Sequence, residues 1–386
     1  VRDLLPETLG PGRSDGLKIP LGSLTLHPSV EYELTLNPRR NLDLDRSEPD
    51  RRDRIDQELK LGTWMRLGPR SSMLLSLKGL AERDVKREGG TPASDYAIER
   101  DEMWVQLEQV GGQALTVQLG RVPVKEERTW WWDDSLDAVR LSWRGDASFV
   151  DSGIGRELFR VSTLEDRLDP AEQGVWRWFG HAGHVWRPRH AVELFWLHAK
   201  DGSGTTPVGQ VITEDEADDS DATLTWYGLR AEGEERATGG MRLRYWADLA
   251  WVSGRERLSE FDDDGTGVSN QGDSTQRVSG QALDVGASWT LGSAFSPTIS
   301  AAYARGSGDD DGSDGVDKSF RQTGLHENKL RFRGVARFRR YGEVFRPELS
   351  NLSVWTAGLG ARPFADASVD LVWHRYFLAK ADGGLP

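Results

Sequence analysis

Fifteen stretches of this 386-residue chain alternate apolar with polar residues, and the links between them run short, long, short, long. Apolar residues at i, i+2 and i+4 share one face of a strand but scatter around a helix. The stretches are 30–36, 59–67, 73–80, 102–108, 115–121, 139–144, 147–154, 176–186, 191–199, 223–231, 241–249, 282–291, 298–304, 349–360 and 368–377. Tight turns such as Gly68-Pro69-Arg70 and Arg187-Pro188-Arg189 separate long polar links such as 253–277 and 305–348. A sheet closed into a barrel across a bacterial outer membrane has tight turns on one rim and long loops on the other. A soluble sandwich or propeller has no reason to sort its connections by parity. The pattern predicts an all-β, transmembrane antiparallel β-barrel.

Composition fits that expectation. Mean hydropathy is −0.57 and 29% of residues are charged, with no run near the ~18–20 apolar residues of a membrane helix. Barrel strands escape that criterion because only every second residue faces lipid. Sixteen Trp, many near strand ends, suit interface anchors with the ring in the apolar zone and the N–H near water. A net charge of −13 argues against nucleic acid, which needs a basic face. The absence of Cys excludes disulfides and thiolate metal sites,. No HExxH spacing, P-loop or GxSxG is present, and the Asp/Gly-rich links lack the spaced calcium-loop pattern,. No cofactor, metal or catalysis is expected. The start shows no charged region followed by an apolar one, so any signal peptide is expected to be already removed.

Parity then assigns the faces. In 241–249 the apolar set Leu243, Tyr245, Ala247 and Leu249 leaves Arg242, Arg244 and Asp248 opposite. In 139–144, Val139, Leu141 and Trp143 leave Arg140, Ser142 and Arg144; in 59–67, Leu59, Leu61, Met65 and Leu67 leave Lys60, Trp64 and Arg66. An Arg or Lys facing lipid at the midplane costs ~2–4 kcal/mol, so the charged faces are expected to look onto a wet lumen. Glu31, Glu33, Glu58, Glu102, Glu108 and Asp370 share that inward parity.

The tract Lys329-Leu330-Arg331-Phe332-Arg333-Gly334-Val335-Ala336-Arg337-Phe338-Arg339-Arg340-Tyr341 is basic, without an acid. Two readings stand: a lipopolysaccharide or nucleic-acid patch on an exposed loop, or a loop folded into the lumen that presents cations to an anion. Field lines focus in a narrow low-dielectric channel, so a few Arg there outweigh many screened surface carboxylates. Trp130-Trp131-Trp132 also has two readings, a platform on which sugar rings stack or an anchor at the membrane interface.

Several motifs point further. Tyr303-Ala304-Arg305-Gly306-Ser307-Gly308, Gln322-Thr323-Gly324-Leu325 and Gly342-Glu343-Val344-Phe345-Arg346-Pro347-Glu348-Leu349-Ser350-Asn351-Leu352 resemble the alginate export porins of the bacterial outer membrane. Glu102-Met103-Trp104-Val105, Leu119-Gly120-Arg121 and Trp132-Asp133 extend the likeness upstream. The resemblance implies a monomeric barrel of roughly eighteen strands, hence one domain over 1–386 lacking about three C-terminal strands, since closure leaves no edge. It implies a pore for an anionic polyuronate lined by Arg and Lys. Arg121, Lys125, Lys329 and Arg337 fall on basic family positions, Glu102 on an acidic one, and Arg100 replaces a neighbouring Arg by a one-residue slip. Gly62 and Pro123 stand where the family has Arg, and Glu31 where it has Lys; Lys60 compensates for Gly62 from the same face. Those departures favour a less densely charged or partly acetylated polymer.

The expected pore lining is therefore Lys60, Arg100, Glu102, Arg121, Lys125, Arg140, Arg242, Arg244, Lys329, Arg331 and Arg337, with Trp130, Trp131 and Trp132 as sugar-stacking candidates. The expected partners are an anionic exopolysaccharide, outer-membrane lipid and, by the resemblance, a periplasmic scaffold lipoprotein and a synthase complex. A general anion-selective or small-molecule porin is the alternative. An outer-membrane hydrolase would need a nucleophile beside one of His181, His184, His190 or His198, and no ordered triad accompanies them.

Overall fold

The computed structural model describes residues 17–22, 24–40, 51–87, 93–204, 206–213, 216–263, 267–331, 335 and 337–381. Fifteen long strands follow one another: β1 (Leu24–Arg40), β2 (Arg51–Gly68), β3 (Ser71–Arg87), β4 (Ser94–Leu107), β5 (Leu115–Lys125), β6 (Asp133–Arg144), β7 (Ser148–Arg156), β8 (Trp176–Arg187), β9 (His190–Lys200), β10 (Ser220–Arg236), β11 (Arg242–Asp263), β12 (Val268–Thr290), β13 (Thr298–Gly306), β14 (Leu352–Phe364) and β15 (Ala367–Leu378). Each pairs antiparallel with the next. Short strands Ile19–Leu21, Val211–Ile212 and Val316–Asp317 add to the same sheet. Among the described residues β1 is in register with β2 and the short strand before it, and β15 with β14 alone.

The sheet wraps around an interior. The seven residues between β5 and β6 touch Phe195 on β9, Asp248 on β11 and, through Arg128, Asp284 on β12. Tyr341, hydrogen-bonded to Trp130 of that segment, in turn accepts from Tyr376 on β15 through its carbonyl. In a flat sheet at ~4.8 Å per strand, β6 and β15 would lie about 43 Å apart. Only a strongly curled wall brings them to one short segment.

Outer and inner faces alternate as parity requires. On β11, Leu243, Leu249 and Trp251 are exposed while Trp246, Asp248, Ala250 and Val252 are buried. Above Trp251 the same outward row becomes Ser253, Arg255 and Arg257. The apolar outer stretch thus runs from 243 to 251, the length a tilted strand needs to cross a bilayer. Eight of the sixteen Trp are exposed, and of these Trp143, Trp176, Trp186 and Trp289 lie at or next to strand ends. A water-soluble fold would bury such a belt.

Two expectations need correction. The link 253–277 is not a loop: β11 and β12 continue as a long hairpin, in register from Arg242↔Thr290 to Asp263↔Val268 with one irregularity at Glu260/Phe261. Both faces of that extension meet polar surroundings, so the alternation that marks a half-buried strand fades there. The lumen, expected to be wet and charged, is packed on one side by inserted segments that bury aromatic side chains there.

Candidate functional site: the lumen and its inserted segments

The segment 126–132 folds inward because Glu126 organises it. Its carboxylate accepts the backbone N–H of Arg128 at 2.7 Å, Trp130 at 2.5 Å and Trp131 at 3.0 Å. These bonds curl the chain so that three indoles enter the barrel, exposed by only 3%, 1% and 2%. Trp131 stacks on Phe195 at 5.0 Å, Trp130 on Phe320 at 6.4 Å, and Trp132 meets Phe195 edge-on at 5.5 Å. Gly228 leaves the socket for Trp131, since a Cβ there would lie 1.8 Å from Cζ2. The three Trp are therefore neither an open sugar platform nor a membrane anchor; they are packing.

A second segment, described over 320–331 and 337–349, lies against the first. The Thr323 hydroxyl donates to the Trp131 carbonyl, and the Thr129 hydroxyl both donates to the Lys329 carbonyl at 2.7 Å and accepts its N–H at 2.8 Å. Gln322 and Asn328 exchange side-chain hydrogen bonds at 3.1 and 2.9 Å. Within the basic tract, Lys329–Leu330 pairs with Phe338–Arg339 as a short ribbon, and Arg340 and Tyr341 are buried.

Between segments and wall runs a buried charge network. Arg230 on β10 binds Glu126 at 2.6 Å and Asp248 at 2.5 Å. Asp248 also takes Arg128 at 3.1 Å, and Arg128 lies 4.6 Å from the Trp246 ring centroid. Asp284 on β12 accepts from Arg340 at 2.9 Å, Tyr341 at 2.8 Å and Trp246 at 2.8 Å. Burial would push the Glu126 carboxyl up, but the Arg230 charge and the hydrogen bonds win and hold it at about 2. Burial, opposed by Glu327, pulls His326 down to about 4, so its imidazole is neutral at pH 7,. Removing one partner from such a network strands a buried charge, a loss of about 3–5 kcal/mol.

The expected lining residues divide into three groups. Arg121 and Arg140 are buried and engaged, Arg121 with Glu157 at 2.7 Å, Arg140 with Asp151 at 3.2 Å and the Pro123 carbonyl at 2.8 Å. Arg100 pins the link after β7, donating to the carbonyls of Phe159 at 2.5 Å and Arg160 at 3.0 Å and pairing with Asp137 at 3.2 Å. Those three bind structure. Lys60 is half-buried beside Asp101 at 2.5 Å; Lys125 lies 4.0 Å from Glu102 and 3.8 Å from Asp133; Arg244 meets Glu127 at 2.8 Å; Lys329 meets Glu327 at 2.9 Å. Each of these keeps partial access to water. Arg242, Arg331 and Arg337 are exposed and make no ion pair among the described residues.

The residues that sequence reasoning missed are Glu126, Arg128, Arg230, Asp248, Asp284 and Arg340 acting together. Glu126 and Arg230 lie 104 residues apart, so no local spacing announces them. Among the described residues no group of three or more His, Asp or Glu is arranged to hold a metal ion.

The alginate export family model matches residues 66–385. Alginate production protein AlgE of Pseudomonas aeruginosa is 29% identical over 310 residues, 78% of this chain and 60% of that protein. The chain thus spans about three-fifths of that relative. AlgE of Azotobacter vinelandii is 25% identical over 380 residues, 92% of this chain and 75% of that one. Among solved structures, Pseudomonas putida OprB (TM-score 0.37, 12% identity, 91% and 92% of the two chains) and Vibrio cholerae OmpT (0.39, 11%, 94% and 90%) are similar, a likeness too remote to bear on function.

Proposed function

Since this chain belongs to the alginate export family, a family of outer-membrane β-barrels, we propose that it is a conduit for an anionic exopolysaccharide, alginate or an alginate-like polyuronate. The observation that carries the reading is the set of inward cations that keep access to water and face one or two resident carboxylates: Lys60 and Lys329 with one, Lys125 and Arg244 with two. Such a cation exchanges its resident acid for a passing uronate at little net cost. Conduction needs that kind of site, strong enough to admit and weak enough to release. Arg331 and Arg337, exposed on the inserted segment, extend the series.

The inserted segments act as plugs that hold small solutes back while polymer is absent. Their buried Arg and acids keep them docked, and the half-exposed cations alone serve the polymer. A periplasmic scaffold lipoprotein and a synthase complex deliver the polymer, and the barrel works as a monomer. No bond is made or broken in transit.

The test is ion selectivity across a planar bilayer. The wild-type channel is expected to favour chloride over potassium, and Lys329→Glu with Arg337→Glu to reverse or abolish that preference. Unchanged selectivity in the double variant removes both from the proposed lining. Anion preference without any response to a polyuronate points instead to a general anion porin.

A further inference from the structure

The outer wall at the long-loop end of β9–β12 is layered. One row across the four strands is Trp196, Tyr227, Trp251 and Gln281. Two residues up lies His198, Thr225, Ser253 and Ser279, and two further up Lys200, Thr223, Arg255 and Arg277. All four residues of that upper row are exposed, and rows on one face are spaced about 7 Å apart along a strand. The wall thus passes from aromatic to neutral polar to cationic within about 14 Å.

The cationic row is unexplained by the fold itself. Arg255 and Arg277 sit directly opposite each other across β11 and β12, an arrangement that is destabilising for like charges. Neither they nor Lys200 makes an ion pair among the described residues. Asp314, on the loop beside Arg277, is engaged by Lys318 at 2.7 Å. One step above, Arg257 is paired with Asp273 at 2.6 Å, so the local sequence supplies an acid where one is wanted. Below the row, Trp251, Gln281, Leu283 and Arg305 line a groove of about 240 Å³ on the same outer surface.

We propose that Lys200, Arg255 and Arg277 bind the phosphate of a lipid headgroup in the leaflet meeting the long-loop rim, with an acyl chain of that lipid in the groove beside Trp251. In the outer membrane this leaflet carries a phosphorylated glycolipid. Two guanidiniums facing each other offer paired N–H donors to one phosphate, and the anion cancels their repulsion. This inference rests on the outer-membrane placement and is independent of what the lumen carries.

Native mass spectrometry of the full chain, released from detergent after exchange with bisphosphorylated glycolipid or its dephosphorylated form, tests it. The wild type is expected to retain the phosphorylated form about tenfold better. Arg255→Gln with Arg277→Gln is expected to erase that difference, while Arg257→Gln leaves it intact. Equal retention of both lipids by the wild type, or undiminished preference in the double variant, overturns the proposal. Displacement of the glycolipid by millimolar inorganic phosphate also overturns it, marking a free-ion site. If the double variant fails to fold, the two-lipid comparison on the wild type decides alone.

Discussion

Glu126 holds a loop in place by two independent means, its own backbone amides and the charge of Arg230. Its carboxyl lies at about 2 when docked against an ordinary 4.5. A folded value below the free value stabilises docking fully above pH 4.5, and that stabilisation fades as pH falls toward 2. Open-channel conductance is therefore expected to rise as pH falls from 4.5 toward about 2,, and Glu126→Gln to show raised conductance already at pH 7. A flat conductance across that range would mean that this carboxylate does not latch the segment. The Gly228 socket gives a second residue-scale prediction. Gly228→Ala drives a methyl into Trp131, at a cost of about 1–3 kcal/mol, while Trp131→Ala leaves a cavity worth about 3–5 kcal/mol. With the indole gone the methyl meets only the Leu249 carbonyl, at 2.9 Å, so the double variant should lose much less than the sum of the two single losses. Denaturant midpoints check this, and simple additivity would contradict the contact.

At the scale of elements, the sequence was most legible where each strand separates oil from water. There a two-residue period is forced, and all fifteen stretches and the inward parity of Arg140, Arg244 and Asp248 could be read directly. Where β11 and β12 rise above the belt, both faces meet polar surroundings, the period is lost, and 253–277 reads as a loop. The inward fold of 126–132 was illegible for another reason. Trp130–Trp132 looks like exposed apolar surface until Phe195, Phe320 and Gly228, far along the chain, are brought to it. Parity alone also hides the roles of Arg121 and Arg140, which read as pore cations yet are engaged by Glu157 and by Asp151 on the neighbouring strand. Replacing 126–132 by a short Gly/Ser linker should therefore raise conductance severalfold while leaving the strand content, read by circular dichroism, intact. Unchanged conductance would show that the segment does not obstruct the lumen.

For the whole molecule, one curled sheet sorts three environments: an apolar belt outside, a buried ion network within, and a set of water-accessible cations beside resident acids. The belt places the chain in the membrane, the network fixes the inserted segments, and only the last group is free to trade partners. A polyanion threading the lumen should engage that group together with the exposed Arg331 and Arg337, and not the buried network. The most direct measurement is single-channel current during addition of an oligouronate or a neutral oligosaccharide of equal length. Concentration-dependent block by the oligouronate, relieved by high salt and absent with the neutral sugar, is the predicted result; equal block by both, or by neither, contradicts a lumen built to pass an anionic polymer.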